Sequence, residues 1–194
     1  MVDAGKLDGL TQAARAAGRR GQPPVHLWNP PFCGDIDMRI AADGTWYYLD
    51  SPIGRSALVK LFSSILRKDE ERFVLVTPVE CVGIRVDDAP FLAVEMVVPG
   101  DRWRGDAGLA FRTNVDDWTM AGPDNPLRFE PGAAEGLKPY VHVRAGLWAR
   151  LTRALTYDLA ALGEILSVDG APMFGIASGG LFFSMAPAAV VEIS

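Results

Sequence analysis

Cysteine and histidine are scarce in this sequence, and long hydrophobic runs are missing from it. The two cysteines, Cys33 and Cys81, have no CxxC spacing, so the sequence predicts neither a disulfide framework nor a cysteine-based zinc site, and we expect two reduced thiols. The two histidines, His26 and His142, have no third ligand nearby, so we predict no metal and no cofactor. No apolar run reaches membrane-spanning length, and the N-terminus lacks the apolar core of a signal peptide. These absences favour a cytoplasmic protein.

Familiar catalytic motifs are also missing. The sequence contains no GxxxxGK[ST] phosphate-binding loop and no GxSxG nucleophile elbow. The glycines between residues 163 and 180 do not form a GxGxxG turn in front of a helix. The sequence therefore predicts no enzyme of a familiar type, and we expect a non-catalytic protein.

Negative charge exceeds positive charge along the chain. The 19 lysines and arginines are outnumbered by 24 aspartates and glutamates, which gives a net charge of −5. Proteins that bind nucleic acids in a general way depend on lysine and arginine contacts to phosphates, so this balance argues against that class. Arg15, Arg19 and Arg20 form a basic N-terminal segment, which with Trp28 keeps nucleic-acid binding as a weaker alternative. A length of 194 residues with 49% hydrophobic residues suffices for one large domain or two small ones.

The stretch from Gly34 to Leu66 predicts a strand, a turn, a second strand and an amphipathic helix. Residues 36–40 alternate between apolar and charged side chains, which indicates a strand with one buried face. Asp43-Gly44 suits a two-residue hairpin turn, and residues 45–49 predict the return strand. Ser51-Pro52 predicts a helix start. The apolar stripe of that helix consists of Ala57, Leu58, Leu61, Phe62, Ile65 and Leu66.

Two further features precede this stretch. Residues 1 to about 20 have apolar residues at helical spacing, so they form either a short helix or a solvated terminus. Residues 22–33 contain four prolines, which predict an extended arm. The arm carries Trp28 and other apolar residues, so it either lies across the core of the protein or lines a ligand site.

The second half of the chain predicts a degenerate copy of the first. Strands at 73–76, 81–86 and 91–98 close the first half, and the polar segment 100–108 predicts a boundary. The second half then predicts a strand at 109–114, an insertion at 122–139, a strand at 140–143 and a helix at 144–162. A strand at 164–168 and a hairpin at 174–185 follow. We therefore predict an α+β protein with an arm (1–33) and two related domains (34–100 and 101–194), each a curved antiparallel sheet with one long amphipathic helix.

Arg55 and Arg144 are the first candidate ligand-binding residues. When the two predicted helices are aligned by their leucines, both arginines fall in a first helical turn. Helix N-termini present free N–H groups and partial positive charge, so an arginine there favours a nearby anion. Two such ends can hold a phosphate or carboxylate between the domains. The alternative is a local ion pair, for Arg55 with Asp50 or Glu80.

Polar residues on two predicted strands are the other candidates. Asp35 and Asp37 are two residues apart and point the same way on a strand, so they can hold Mg²⁺ or act in acid–base chemistry, or they form a solvated strand face. Tyr140 and His142 alternate with valines and can contact a ligand. Trp28 is the tryptophan best placed for stacking on a ligand.

The stretch GDIDMRIAADGTWYYLDSPIGR at 34–55, with LVTPVE at 75–80 and IRVDDAPF at 84–91, resembles a bacterial family of two-domain proteins known only as a domain of unknown function. The resemblance runs from about Pro24 to Pro187. It implies two similar α+β domains, the second superficially like a pleckstrin-homology domain. It also implies a ligand groove between the domains and a link to signalling, and it provides no catalytic residue.

These observations together predict a non-catalytic binding or regulatory module. We expect it to recognise an anionic small molecule or a protein segment in the groove between the domains, walled by the arm and the 122–139 insertion. The alternatives are a metal-dependent hydrolase built on Asp35 and Asp37, and a nucleic-acid binder that uses the basic N-terminus.

Overall fold

The computed structural model describes residues 4–17, 22–99, 107–132 and 136–191. Its helices are α1 (Ala4–Ala17), α2 (Ser56–Ser64), α3 (Arg153–Ala161) and α4 (Ala188–Val191). Its strands are β1 (Phe32–Ile40), β2 (Trp46–Tyr48), β3 (Ser51–Pro52), β4 (Leu66–Asp69), β5 (Arg72–Val76), β6 (Cys81–Val86), β7 (Phe91–Val97), β8 (Ala110–Thr113), β9 (Trp118–Met120), β10 (Leu127–Pro131), β11 (Leu137–Arg144), β12 (Leu147–Leu151), β13 (Glu164–Val168), β14 (Ala171–Ser178) and β15 (Leu181–Pro187). The chain divides into a first unit, Met1–Pro90, and a second unit, Phe91–Ser194. The predicted two-domain, sheet-rich α+β architecture is therefore confirmed.

The first unit is built on a six-stranded sheet in the order β3-β2-β1-β6-β5-β4. Helix α2 joins the two edge strands β3 and β4 and packs its apolar stripe into the core, where the Phe62 ring stacks on Trp46 at a centroid distance of 6.4 Å. Helix α1 packs against α2 and buries Leu10 and Ala14 completely. The N-terminal segment is thus helical over residues 4–17, whereas Arg19 and Arg20 lie outside the described residues.

The second unit contains a six-stranded sheet in the order β10-β11-β12-β7-β8-β9 and a three-stranded antiparallel sheet in the order β13-β14-β15. Helix α3 follows β12 and packs against β7, β11, β12 and β14. Ser178 at the end of β14 is fully buried and links the two sheets of this unit. Its hydroxyl accepts the Leu109 N–H at 2.9 Å and donates to the Ala121 carbonyl at 2.8 Å.

The prediction of purely antiparallel sheets is wrong, because each six-stranded sheet has one parallel pair at its centre. β1 runs parallel to β6, and β7 runs parallel to β12. The first and last strands of each sheet meet there, and the intervening strands provide the long crossover that a parallel pair requires. Helices α2 and α3 have nine residues each, shorter than predicted.

The prediction of a helix over residues 144–162 is wrong in its first half, where the chain forms a turn and strand β12. Ala145 and Gly146 have positive φ values of 43° and 76° and form the tight turn from β11 into β12. Along β12 the odd-numbered residues from Leu147 to Leu151 are buried and the even-numbered ones are less so. Leu147 and Leu151 are four residues apart, a spacing that fits a helix or one face of a strand, and the pairing with β7 and β11 decides for the strand.

Two turns in the first unit also differ from the prediction. Ser51 does not cap a helix, because Leu49 and Asp50 adopt positive φ and turn the chain so that Ser51 pairs with Tyr48. The helix starts later, with Arg55 as its N-cap. At the Asp43-Gly44 turn only Gly44 has positive φ, 81°, and the loop is longer than two residues because Ile40 pairs with Trp46.

The division between the units precedes β7 instead of following it. Residues 91–98 were predicted to end the first domain, but β7 pairs with β8 and β12 of the second unit. Most of the polar segment 100–108 lies outside the described residues. Strand pairing between residues far apart in sequence thus locates the division, and the composition of that segment does not.

Candidate functional site

A cavity of about 570 Å³ opens in the second unit beside β11, β12 and the start of α3. We call it the basic cavity. Its lining consists of Gly136, Leu137, Lys138, Pro139, Arg150, Leu151, Arg153, Thr156 and Tyr157. Its volume lies in the range of small-molecule sites in proteins.

Strand pairing brings Lys138 and Arg150 to the same side of the sheet. Lys138 precedes Tyr140 by two residues on β11, and Tyr140 lies directly opposite Arg150 on β12. Alternate residues of a strand share a face, and residues directly opposite each other share it too. The ammonium and the guanidinium therefore approach the cavity from neighbouring positions.

Helix α3 supplies the third cation of the cavity. Thr152 is the N-cap of α3, and its hydroxyl accepts the Leu155 N–H at 3.4 Å, which places Arg153 in the first turn. One turn later, Tyr157 accepts a hydrogen bond at its hydroxyl from Arg153 Nη2 at 3.1 Å. This hydrogen bond raises the pKa of the Arg153 guanidinium. The positive end of the helix adds to the potential at this point.

The described lining of the basic cavity holds three cations and no aspartate or glutamate. The nearby carboxylate of Glu130, opposite Lys138 on β10, is paired with Arg128 at 3.2 Å between Nη2 and Oε1. Like charges that converge in a concave site raise the local positive potential and attract an anion. The cavity is therefore suited to bind an anionic group.

None of these three cations was predicted from the sequence as a ligand-binding residue. Lys138 fell within the predicted insertion, and Arg150 and Arg153 fell within the predicted helix of residues 144–162. The available signal was Thr152, a good N-cap residue that marks the true start of the helix between the two arginines.

Arg55 is exposed at the N-cap of α2 and lines a different concavity, a groove of about 960 Å³ along α1 and α2 that Arg15 also lines. In the part of the chain that the structure describes, it makes no ion pair with Asp50 or Glu80.

Arg144 does not lie at a helix start, which corrects the predicted equivalence of the two arginines. It is the last residue of β11, where its guanidinium pairs with the Asp117 carboxylate and lies 5.0 Å from the centroid of the Phe91 ring. The equivalence rested on a helix over residues 144–151, where the chain forms a turn and a strand.

His142 and Tyr140 make contacts that stabilise the fold of the second unit. Gly146 donates its N–H to His142 Nε2 at 3.1 Å, and the imidazole packs edge-on against Trp148 at 5.2 Å. Tyr140 is buried beneath Arg128, whose guanidinium lies 4.8 Å from its ring centroid. These contacts stabilise the turn between β11 and β12 and the sheet beside the basic cavity.

Trp28 lies across the core of its own unit, which was the first of the two alternatives for the arm. Val25–Leu27 form a short 3-10 turn, and Val25 and Trp28 pack against a buried cluster of Val74, Val76 and Cys81. The carbonyls of Val25 and Trp28 both accept hydrogen bonds from Arg67 Nη1. This part of the arm is thereby anchored to the sheet.

Asp35 and Asp37 are exposed on β1. The Asp35 carboxylate lies 3.9 Å from Arg72 Nη1 and extends over Gly83, where a Cβ would overlap its Oδ1 atom. Among the described residues, no group of three or more histidine, cysteine, aspartate and glutamate side chains is arranged to hold a metal ion. Likewise, no described helix has the length and hydropathy needed to cross a bilayer.

Comparison with known families finds two matches that together span most of the chain. Residues 23–89 match the N-terminal domain of DUF1285, described as a domain of unknown function, and residues 90–185 match the C-terminal domain of the same family. The junction between the two matches coincides with the division between the two units. None of the curated proteins matches the chain.

Two solved structures are similar to this chain. A DUF1285 family protein from Silicibacter pomeroyi DSS-3 is 52% identical with a TM-score of 0.85, over 95% of this chain and 98% of that one. A DUF1285 family protein from Shewanella baltica OS155 is 28% identical with a TM-score of 0.50, over 63% of this chain and 89% of that one.

Proposed function

This chain belongs to the DUF1285 family, and because the family's description gives no function, we propose one from the basic cavity. The protein is a non-catalytic module that binds an anionic small molecule there. The observation that carries this proposal is that Lys138, Arg150 and Arg153 all line one cavity whose described lining holds no carboxylate, on a chain with a net charge of −5.

A phosphate ester is the ligand class that fits the lining best. A phosphate dianion offers three oxygens to several donors at once, and arginine binds such groups in a bidentate manner. The walls also include Leu137, Leu151 and the Tyr157 ring, which favour an organic group attached to the phosphate. A single carboxylate carries less negative charge and offers fewer oxygens to these donors.

The test is isothermal titration calorimetry at low salt with phenyl phosphate, inorganic phosphate and acetate. We expect phenyl phosphate to bind most tightly, because it combines a dianion with an apolar ring. Arg153→Ala and Lys138→Ala should each weaken binding at least tenfold, since each removes one charge from the cavity. Measurements at several salt concentrations should show weaker binding as salt rises.

The matched control is Arg85→Ala, which removes the same charge from an exposed position in the first unit. It should leave the affinity for phenyl phosphate unchanged. An equal loss in the control would assign the effect to overall charge. Absence of binding by all three anions to the wild-type protein would reject the proposal.

We also infer that the two units arose by duplication. In each six-stranded sheet, the first three strands in sequence are laid down from the centre to one edge, and the last three from the other edge back to the centre. Strand β1 of the first unit therefore corresponds to β7 of the second, and β6 corresponds to β12. A profile comparison of residues 32–86 with residues 91–151 supports the inference if it aligns the strands in this order.

A role in signalling, the pleckstrin-homology likeness of the second domain, the groove between the domains and a cytoplasmic location all stay predictions. A binding protein for a phosphate ester is compatible with regulation, because ligand binding stabilises the state that holds the ligand. The basic cavity lies wholly within the second unit, so the proposal needs no groove between the domains.

A further inference from the structure

Strand β13 is an unprotected sheet edge. It lies at one end of the three-stranded sheet and pairs with β14 along its whole length. Its residues from Glu164 to Ser167 are exposed, with Ile165 and Leu166 at 48% and 41% on opposite faces. Natural edges usually carry a proline, a lysine or a bulge that prevents pairing with other chains. β13 has none of these and is rich in residues that favour strands.

We propose that β13 pairs antiparallel with β13 of a second copy of this chain, across a two-fold axis at Leu166. The two three-stranded sheets then join into one six-stranded sheet. This inference concerns an interaction surface and does not depend on the ligand of the basic cavity.

The hairpin between β13 and β14 determines which backbone groups are available. Asp169 and Gly170 have positive φ values of 51° and 81° and form a two-residue turn, with Val168 paired to Ala171. Residues that flank such a turn exchange hydrogen bonds, and the pattern alternates along the strand. The N–H and C=O groups of Ile165 and Ser167 therefore point away from β14, towards the open edge.

A two-fold axis at Leu166 places these open groups in register. Ile165 of one copy faces Ser167 of the other, and each such pair exchanges two hydrogen bonds, so that the ladder gains four. Leu166 faces its own copy at a position without ladder hydrogen bonds, where side chains approach most closely. Leu166 also lies opposite Met173 on β14, so the apolar row continues across the new sheet.

The charges of β13 are compatible with pairing to itself. Glu164 is its one charged residue, and the axis places Glu164 opposite Val168 of the second copy. No like charges therefore meet in directly opposite pairs. This complementarity of the strand with itself is what a two-fold interface requires, and it favours a second copy over an unrelated strand.

Sedimentation velocity between 1 and 100 µM tests the proposal with the intact chain. We expect the wild-type protein to shift from monomer to dimer as concentration rises. Leu166→Lys places two ammonium groups opposite each other and should raise the dimer dissociation constant at least tenfold. The control Leu181→Lys changes another exposed leucine at the start of β15 and should leave the dimer intact.

Ser167→Pro separates backbone pairing from side-chain effects. It removes one N–H that points to the open edge and leaves the bonds of β13 to β14 in place, so it should also abolish the dimer, whereas Ser167→Ala should not. Circular dichroism spectra that match those of the wild type show that each variant is folded. A monomer at 100 µM, a dimer insensitive to both changes, or an open-ended assembly would each overturn the proposal.

Discussion

Arg67 and Asp69, two residues apart on β4, form an ion pair with two contacts: Nε lies 2.6 Å from Oδ1 and Nη2 lies 2.7 Å from Oδ2. The remaining nitrogen, Nη1, donates to the carbonyls of Val25 and Trp28 at 2.8 and 2.7 Å. One guanidinium therefore joins the edge of the first sheet to the arm. Residues 22–31 of the proline-rich arm precede β1 and do not pair as a strand, so their carbonyls need such donors.

Arg67→Met should destabilise the first unit by about 2 kcal/mol, because it removes charge-assisted hydrogen bonds to partly buried carbonyls and retains the apolar stem. Urea denaturation measures the change. Tryptophan fluorescence should also shift to the red before global unfolding, as Trp28 becomes exposed. Arg85→Met, at a more exposed arginine, should change neither property; similar losses in both variants would contradict the role given to Arg67.

Ser178→Ala should lower the free energy of unfolding of the second unit by about 1–3 kcal/mol, because it leaves the buried Leu109 N–H and Ala121 carbonyl without this partner. Thermal denaturation and amide hydrogen exchange at Leu109 measure the effect. Ser184→Ala removes an exposed hydroxyl from β15 and serves as the control. Unchanged exchange at Leu109 would show that the linkage is not needed.

The free energy of unfolding should fall at alkaline pH because the Cys81 thiol is buried. Burial raises the pKa of this thiol above its usual value, so the folded state keeps its proton when the unfolded chain has lost it. The contribution is fully present below the unfolded pKa of about 8.5 and is lost as pH rises through the folded pKa. Melting temperatures between pH 7 and 10 should therefore fall less steeply in Cys81→Val. Equal slopes in the two proteins would refute this origin.

Asp117 and Arg144 should show coupling in stability and none in ligand binding. A double-mutant cycle with Asp117→Asn and Arg144→Met should give a coupling of about 1 kcal/mol, because the pair is only partly exposed. Affinity for phenyl phosphate should be unchanged in both variants, since neither residue lines the basic cavity. A tenfold loss of affinity in Arg144→Met would return this residue to the ligand site.

Local patterns in the sequence were sufficient to predict most of the strands. Alternation and turn residues act between neighbours in the chain, so β5, β6 and β13 were predicted close to their observed bounds, whereas β1 and β14 begin three or four residues earlier than predicted. The two-domain organisation followed from the same patterns. The helical content of residues 4–17 depended on packing against α2, and the sequence left it open.

Long-range pairing decided the features that local patterns left open. Residues 147–151 fit a helix and a strand equally well, and only β7 and β11 on either side made them a strand. That choice moved Arg144 away from a helix start. It also placed Arg150 on the strand next to Lys138, on the same side of the sheet, and Arg153 in the first turn of α3. The basic cavity could not be predicted, because its cations come from separate elements whose proximity depends on strand register. Composition and periodicity thus determined which segments form sheet and helix, whereas pairing between distant strands decided which charges meet.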